Sequence, residues 1–350
     1  MASPVSMRDV ARATRVSVAT VSKSLGNKRD VSATTRRRVL AACQRLGYRT
    51  NPLVAALMRS RRSHASPTSS LTLAFVTAFP TPDGWRTHPA PIFRQMFAGA
   101  QARAQERNYR LEHHWLFREG MSNRRFSDML EARGIRGVLF APVPNLQTEI
   151  ELNWPAFSTV VLGLTPSTRH FHRVTTDYYQ SMLLVMEKCR QCGYRRPGLA
   201  ARRETATRLE HRWEAAYRVA AAAYGARAAL PRPLIVEEWE RERVAAWLDR
   251  ERPDVVIGPV LGKLEETIAA AGKRVPDDIG LVGLLVPRAG DRLSGVLQDG
   301  EIIGRTAADQ LIAQLERNET GIPEHPITHT MLGRWNEGET VRILPAARQR

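Results

Sequence analysis

The chain has 350 residues, of which 43% are hydrophobic and 25% charged, a composition typical of globular proteins with a sizeable core. At roughly 150 residues per domain, this length predicts two or three domains. Three cysteines are too few for a disulfide framework, which indicates a reducing compartment. No apolar run approaches the ~18 residues of a membrane span and no signal-peptide core is present, so we expect no membrane association and a cytoplasmic location.

Basic side chains are concentrated near the N terminus. Residues 1–65 contain 14 Lys and Arg against only Asp9 and Asp30, so they carry +12 of the chain's net charge of +17. A small, strongly basic segment on a nearly balanced body is typical of a nucleic-acid-binding module. Charge alone also fits a membrane-surface patch.

Residues 1–50 are predicted to form a domain of three short helices. The first covers Met7–Thr14, the second begins after an N-cap at Ser17, and the third begins after an N-cap at Ser32. Apolar side chains recur at helical spacing on one face of each: Val10 and Ala11, then Val21 and Leu25, then Val39, Cys43 and Leu46. Two helices joined by a tight turn are typical of the helix-turn-helix, whose second helix enters the major groove of DNA.

Residues 51–70 are predicted to form a hinge. Pro52 is suited to start a short helix over residues 53–59, and a polar linker rich in serine follows over 61–70. A helix of about two turns is too short to be stable alone in water. We therefore expect it to form only when DNA or a partner subunit covers its apolar face.

Residues 71–345 show strands alternating with amphipathic helices, which favours an α/β body with parallel sheets. The predicted strands are 71–78, 137–141, 159–162, 198–201, 234–236, 254–257 and 280–285. The predicted helices are 93–105, 180–191, 208–224, 241–250, 263–271 and 303–315. Two sets of strands indicate two lobes, and ligands of such sheets bind at the carboxyl ends of the strands.

Three motifs follow one another at the N terminus: MRDVARATRVSVATVSKSL over residues 7–25, VSATTR over 31–36 and LGYRTNP over 46–52. Together they resemble the lactose-repressor/galactose-repressor (LacI/GalR) family of bacterial transcriptional regulators. The body resembles the family more weakly, through RVPDDI over 274–279 and through Gln298 and Gly304. The resemblance implies a helix-turn-helix head and a two-lobe body like that of periplasmic binding proteins. It also implies a repressor that binds a palindromic DNA operator as a homodimer and responds to a small-molecule effector, such as a sugar or sugar derivative.

By this resemblance the second helix contacts DNA. Val18, Ala19 and Lys23 would lie nearest the base edges, where the two apolar side chains suit a thymine methyl and the lysine suits guanine or a phosphate. Thr20 and Ser22 suit phosphate contacts. The alternative for all five is an ordinary solvated helix face.

Leu57 of the hinge has a more specific expected role. In the family the equivalent leucine wedges into the minor groove at the operator centre, and an inserted aliphatic side chain kinks the duplex. The alternative is that Leu57 packs against the body or against the partner hinge. Beyond residue 344 the sequence has no heptad pattern, which favours a dimer over a tetramer.

Two positions of the head depart from the family. Glycine is usual in the turn before the second helix, where this chain has Arg15. An arginine at positive φ costs on the order of 1 kcal/mol, so we expect a slightly altered turn. Lys23 stands where arginine is common, which weakens bidentate reading of guanine.

The resemblance and the position of strand ends nominate an effector site. Its candidates are two aromatic residues that could stack on a sugar, one tyrosine, one arginine anchor and one secondary acid: Phe93, Trp239, Tyr178, Arg212 and Asp177. Arg208 is predicted one helical turn before Arg212 on the same face. The alternatives are that the aromatic residues belong to the core and that the arginines are solvated.

The body lacks the acidic groups with which the family typically binds sugar hydroxyls. Gly258-Pro259-Val260 replaces the usual Asn-Asp, and Leu284-Leu285 replaces the usual aspartate after the next strand. The usual ligands therefore cannot be carried over to this chain. An unusual effector, a partner protein or no effector at all are the alternatives.

No catalytic, metal or cofactor site is predicted. Cys189 and Cys192 have the spacing of half a zinc site but lack a second pair, so we expect one or both to be core residues at the end of a helix. Residues 258–264 imitate a P-loop but lack its spacing and its Ser/Thr, and His113-His114 has no companion carboxylates. The rival hypothesis is a two-lobe small-molecule-binding protein or enzyme whose basic head serves another role.

Overall fold

The computed structural model of the chain describes residues 7–25, 31–46, 71–144, 146, 148, 150–165, 170–224, 230–259 and 263–344. The predicted hinge at residues 51–70, including Leu57, lies outside the described residues. No helix in the described ranges is long and apolar enough to cross a membrane.

The head consists of three helices, α1 (Met7–Thr14), α2 (Val18–Leu25) and α3 (Ala33–Leu46). Their shared core is small and apolar, and it is made by residues that the helical spacing selects: Val10, Ala11, Val21, Val39, Ala42 and Cys43. Ser17 and Ser32 cap α2 and α3, because their hydroxyls accept from the backbone amides of Thr20 at 3.0 Å and Thr35 at 3.2 Å. The three-helix prediction is confirmed.

The body alternates strands and helices along the chain. Its first part comprises β1 (Leu71–Thr77), α4 (Gly84–Thr87), α5 (Ile92–Glu106), β2 (Tyr109–Trp115), α6 (Asn123–Ala132), β3 (Gly137–Phe140), β4 (Ser158–Leu162) and β5 (His172–Thr176). Next come α7 (Tyr178–Gln191), β6 (Pro197–Arg202), α8 (Arg203–Arg208), α9 (Arg212–Ala221), β7 (Leu234–Val236), α10 (Arg241–Glu251), β8 (Val255–Gly258), α11 (Leu264–Ala270), β9 (Gly280–Val286) and β10 (Gly295–Leu297). The last elements are α12 (Gly300–Arg317), β11 (Thr328–Met331) and β12 (Arg334–Asn336).

These elements form two lobes, each built on one six-stranded sheet. The N-lobe sheet has the order β11-β5-β4-β3-β1-β2, and all of its pairings are parallel. The C-lobe sheet has the order β12-β10-β9-β8-β6-β7, and only the edge pair of β10 with β12 is antiparallel. The predicted two-lobe α/β body is confirmed.

The helices α5 and α12 cover one face of the N-lobe sheet and touch each other closely. A side chain at Gly99 would place its Cβ 2.0 Å from the carbonyl oxygen of Glu301, and one at Gly304 would place it 2.0 Å from that of Met96. Glycine is therefore required at both positions, because any Cβ would push the helices apart. This close approach gives Gly304, one of the family-like positions, a structural role.

The chain passes between the lobes three times. The first passage leads from β5 into α7 at Asp177, the second from β10 into α12 at Asp299, and the third from β11 to β12. Both aspartates are helix N-caps, accepting from the amides of Gln180 at 3.0 Å and Ile302 at 3.3 Å. Arg334 donates to Asp299 at 3.2 Å, so the second and third passages are bonded to each other.

Some predicted elements were wrong or missing. The helix predicted over residues 208–224 corresponds to α9, which begins only at Arg212, because the backbone turns through positive φ at Glu210 and His211. The strands β2, β5, β10, β11 and β12 and the helices α4, α6 and α8 were not predicted. These strands are short or lie at or near sheet edges, and several alternate polar with apolar residues rather than forming apolar runs.

Candidate nucleic-acid interface and ligand groove

The second helix of the head exposes the predicted contact face. Val21 is fully buried in the head core and Ser24 is nearly so, which fixes the rotation of α2. Val18, Ala19, Ser22 and Lys23 are exposed as a consequence. This face is compact and carries little charge of its own, which suits direct contact with base edges.

Thr20 is placed differently from the other candidates on α2. It is partly buried, and its hydroxyl lies 2.9 Å from that of Ser17, within the cap of the helix. Its role in the head is therefore at least partly structural, since the Ser17–Thr20 contact holds the first turn of α2.

Several arginines of the head are exposed to solvent. Arg15, Arg37, Arg38 and Arg45 are exposed, and Arg12 is exposed with an ion pair to Asp9 at 3.5 Å. Arg15 has a φ of 51°, the left-handed conformation that glycine adopts more easily. The strained turn expected at this position is therefore present.

A groove at the junction of the lobes brings together three of the five predicted effector residues. It has a volume of about 220 Å³ and is lined by Asp177, Tyr178 and Arg212. The other lining residues come from both lobes: Leu164, Arg173, Thr175, Thr176, Glu210, Thr328 and Thr330. The groove runs along β5 and β11, from Arg173 and Thr328 near the start of these strands to Asp177 and Tyr178 at the start of α7.

The floor of the groove is polar because of how β5 is oriented. Val174 packs into the core under α12, so its neighbours Arg173 and Thr175 point to the other face of the sheet. They pair in register with Thr328 and Thr330 of β11, which therefore lie on the same face. Arg173 is only 5% exposed and Thr175 only 2%, whereas both β11 threonines are exposed at the mouth of the groove.

Arg173 has an unusual environment for a charged side chain. Its Nη2 atom is buried, and no described residue accepts a hydrogen bond from it. Burial lowers the pKa of Arg173, the charge of Glu210 raises it and that of Arg212 lowers it again. The guanidinium remains charged, because arginine is protonated throughout the physiological range.

The turn between α8 and α9 forms the wall opposite. Glu210 has a φ of 51° and His211 one of 58°, so two consecutive residues occupy the left-handed region. Arg212 donates to Glu210 at 2.8 Å, and both side chains are largely exposed. Strained non-glycine residues of this kind persist where surrounding structure imposes them, commonly at ligand sites.

Arg208 does not share a helical face with Arg212, because the turn separates them. It points across the junction, where its guanidinium donates to the carbonyl oxygens of Val143 and Pro144 in the N lobe. It also donates to Glu204 at 2.9 Å. Arg208 therefore joins the two lobes directly, whereas the prediction placed it beside Arg212.

Tyr178 is held at the start of α7. Its ring packs against that of Trp213 at 5.9 Å between centroids, and its hydroxyl lies close to Thr175, Thr176 and Gln298. Burial raises the pKa of Tyr178, so the hydroxyl remains protonated at neutral pH. It can therefore both donate and accept a hydrogen bond at the groove.

Phe93 and Trp239 do not line this groove. Phe93 on α5 contacts the rings of Phe79 at 5.1 Å and His88 at 4.7 Å between centroids. Trp239 is partly buried against the C-lobe core that contains Val244 and Leu248. Both therefore have packing roles, and an effector contact for either remains a prediction.

Two sequence comparisons and one structural comparison place the chain among known proteins. The profile described as "Bacterial regulatory proteins, lacI family" matches residues 6–51, and the profile "Periplasmic binding protein-like domain" matches residues 186–341. The chain therefore has the helix-turn-helix head of the lacI family of bacterial regulatory proteins, joined to a periplasmic-binding-protein-like domain. A search of curated proteins found no match.

Solved structures with similar folds include two full-length LacI-family regulators. The transcriptional regulator CelR in complex with cellobiose is 20% identical, with a TM-score of 0.57, over 96% of this chain and 99% of that chain. The Lac repressor dimer bound to operator and the anti-inducer ONPF is 18% identical, with a TM-score of 0.53, over 97% and 99%. CCPA from Weissella paramesenteroides with bound glucose is 14% identical, with a TM-score of 0.55, over 78% and 99%. At such low sequence identities, the structural similarity shows that this chain shares the fold of these proteins.

The positions where this LacI-family chain departs from the family are apolar in the structure. Leu284 is buried, and Leu285 lines a cavity of about 30 Å³ between the lobes together with Pro91, Ile92 and Gln298. A side chain at Gly258 would place its Cβ 2.5 Å from the carbonyl oxygen of Ala200.

Sequence reasoning missed Arg173, the most buried charge of the groove. The sequence of residues 172–176, HRVTT, contained a usable signal. Polar Arg173 and Thr175 flank apolar Val174, an alternation that predicts a strand with one polar face. Cys189 is buried in the C-lobe core, as expected for a core residue. No group of potential metal ligands occurs among the described residues.

Proposed function

We propose that this LacI-family regulator is a sequence-specific repressor that binds a palindromic operator as a homodimer in the bacterial cytoplasm, at the nucleoid. The observation that carries this proposal is the exposed face of α2, which presents Val18, Ala19, Ser22 and Lys23 on a head held rigid by its own core. The head carries most of the chain's net positive charge, which supplies the affinity for phosphates. Lac repressor, of the same fold, is a dimer on its operator in its solved structure.

The proposal includes the predicted domain limits. Residues 1–50 bind DNA, residues 51–70 form hinge and linker, and residues 71–345 bind effector and dimerise. A body of two lobes can shift between two relative arrangements, and a ligand that prefers one of them changes the balance. The linkers of a dimer then move relative to each other, which favours or disfavours pairing of the two hinges on DNA.

Several contacts would have to change in such a movement. Arg208 bonds the C lobe to the carbonyl oxygens of Val143 and Pro144, and Gln95 Nε2 donates to the carbonyl oxygen of Pro287 at 3.1 Å in the opposite direction. Asp177 and Asp299, the capping residues at two of the passages, are suited to serve as pivots because their helices begin there. Effector contacts by Asp177, Tyr178, Arg212, Phe93 and Trp239 belong to this proposal.

Leu57 retains its proposed role as a wedge at the operator centre. Two hinge helices side by side would insert the leucine pair and kink the central step at a cost of a few kcal/mol. In a Leu57→Ala variant we expect less operator bending and lower specific affinity, with nonspecific binding through the heads almost unchanged.

The experiment that tests this function is selection of DNA by the purified full-length protein from a random pool. We expect an enriched palindrome whose half-sites are spaced for two heads, and light scattering should show a dimer. Unenriched DNA at low and moderate salt would contradict the proposal. If the protein turned over a small-molecule substrate and did not bind DNA, the rival hypothesis of an enzyme would be favoured.

A further inference from the structure

We propose that the groove at the lobe junction binds a small hydroxylated organic acid, whose acidic group pairs with Arg173 and whose hydroxyls bond the surrounding threonines and carboxylates. The inference rests on the proposed function, in that the bound acid would be the effector. It names the chemical class that the groove selects, which the loss of the family's usual acidic residues leaves open.

Arg173 carries the argument. A charged side chain that is 95% removed from solvent costs folding free energy unless it is paired, and Nη2 of Arg173 has no acceptor among the described residues. A purely structural arginine would be expected to sit in a network of acceptors. An anion in the groove would supply the missing partner, and the planar guanidinium fork binds carboxylate or phosphate with two parallel hydrogen bonds.

The other charges in the groove are already engaged within the described structure. Glu210 holds Arg212 at 2.8 Å, and one carboxylate oxygen of Asp177 caps α7 through the amide of Gln180. The two carboxylates and the two guanidiniums of the groove therefore balance in charge, and Nη2 of Arg173 is a buried groove nitrogen without an acceptor among the described residues. The groove can thus satisfy one acidic group, and further negative charge on a ligand would face Glu210 and Asp177.

The remaining lining favours hydroxyl groups on the ligand. Thr175, Thr176, Thr328 and Thr330 present hydroxyls that can donate and accept, and carboxylates accept from ligand hydroxyls. The volume of about 220 Å³ lies below the range of roughly 300–1,000 Å³ typical of sites for drug-sized ligands. A molecule of one sugar ring or of a short open chain fits this volume.

The first test measures the stability of the full chain without ligand. Function often retains a residue that is unfavourable for folding. We therefore expect Arg173→Met to raise the midpoint of thermal unfolding by a few degrees. The matched control is Arg243→Met on α10, whose arginine is exposed, and its midpoint should be unchanged. A lower midpoint for Arg173→Met would mark Arg173 as a structural residue and overturn the proposal.

The second test measures the response to defined probes at equal ionic strength. The probes are sodium D-gluconate and D-galacturonate for carboxylates, D-glucose 6-phosphate for phosphates, and D-glucose and D-ribose as neutral controls. We expect at least one acid to raise the unfolding midpoint of the wild-type chain and of Arg243→Met. The response should be absent in Arg173→Met, and it should be at least about fivefold weaker in affinity in Arg173→Lys, which keeps the charge but loses the fork.

The outcome also assigns the acidic group. A response to the sugar acids alone identifies a carboxylate, and a response to the phosphate alone identifies a phosphate ester. The proposal is overturned if no acid raises the midpoint, if the neutral sugars raise it as much, or if Arg173→Met responds like the wild type. Operator selection uses DNA without these probes, so the two experiments can fail independently. If no acid binds the groove, the proposed DNA-binding function is not contradicted. If no operator is selected, the result for acid binding still holds.

Discussion

The exposed face of α2 and the groove at the lobe junction are two binding surfaces of opposite design. On α2 the residues that would contact bases are mostly small and uncharged, and several arginines of the same head are exposed. In the groove the order is reversed, since Arg173 is buried at the floor and exposed threonines lie at the mouth. The head is suited to a long polyanion that many exposed charges attract, and the groove to one small molecule with a single acidic group.

The difference predicts how salt acts on the two surfaces. DNA binding that neutralises roughly six to ten phosphates should weaken by about 10³–10⁵-fold between about 50 and 200 mM salt, because counterions are released. Binding of a sugar acid to one buried arginine should change by less than about tenfold, since buried pairs are screened little. Titrations of the full chain with DNA and with the acid, each at the low and the high salt concentration, measure the two salt dependences. Equal salt dependence for DNA and acid would remove the distinction.

A charge placed on the contact face should affect DNA alone. In Val18→Glu a carboxylate faces the bases and phosphates, and we expect operator affinity to fall by about 100-fold or more, since an unfavourable like-charge contact costs several kcal/mol. Val219→Glu is the matched control, because Val219 is 59% exposed and lies on α9 in the body. Acid binding measured by calorimetry should be unchanged in both variants. Full operator affinity in Val18→Glu would show that α2 does not contact the bases.

Acid should weaken the body and spare the head. Burial lowers the pKa of His113 from 6.5 to about 4, and the imidazole lies 2.8 Å from the hydroxyl of Thr77. Between these two pH values the unfolded chain binds a proton that the folded chain does not, so the free energy of unfolding falls as pH falls from 6.5 towards 4. The loss is at most about 3 kcal/mol and smaller with solvent screening, because the ring is only half-buried.

Calorimetry of the full chain at several pH values checks this slope. His113→Asn should reduce the slope, with the remainder coming from the other histidines whose pKa burial lowers (His88, His114 and His172), whereas His325→Asn, at an exposed position, should leave it unchanged. Residues 1–50 contain no histidine, so the head transition should not share the slope. A body transition that is independent of pH over this range would contradict the prediction.

The smallest expected effect concerns the strained turn of the head. Arg15→Gly should stabilise the head by about 1 kcal/mol, because glycine adopts the φ of 51° without a steric cost. Arg12→Gly, inside α1, should destabilise it by a similar amount. Hydrogen exchange of the head amides measures both. The same sign for the two variants would show that the turn is not strained.

These two surfaces also differ in how well the sequence predicts them. The face of α2 is set by the cap at Ser17 and by the spacing of Val21 within one helix, so local patterns were enough to identify it. The groove is assembled from β5, β11 and the turn after α8, segments that are far apart in sequence. The family resemblance and the strand ends nominated Asp177 and Tyr178, but the burial of Arg173 depends on which face of β5 packs under α12.

The turn after α8 shows the same limit of local reasoning. Residues 208–224 contain good helix formers, and no glycine or proline marks the break at Glu210 and His211. The break separates Arg208, which crosses to the N lobe, from Arg212, which lies in the groove. Tertiary packing therefore overrides helical propensity at the place where the two lobes meet.

The most direct measurement is the operator affinity of the full chain with and without the acid that raises its unfolding midpoint, in the wild type and in Arg173→Met. If the groove controls the head, the acid should change wild-type operator affinity by about 5–150-fold, the range of a typical coupling between two sites. Arg173→Met should bind the operator with one affinity whether or not the acid is present. An acid that binds the groove but leaves wild-type operator affinity unchanged would contradict the coupling of the two surfaces.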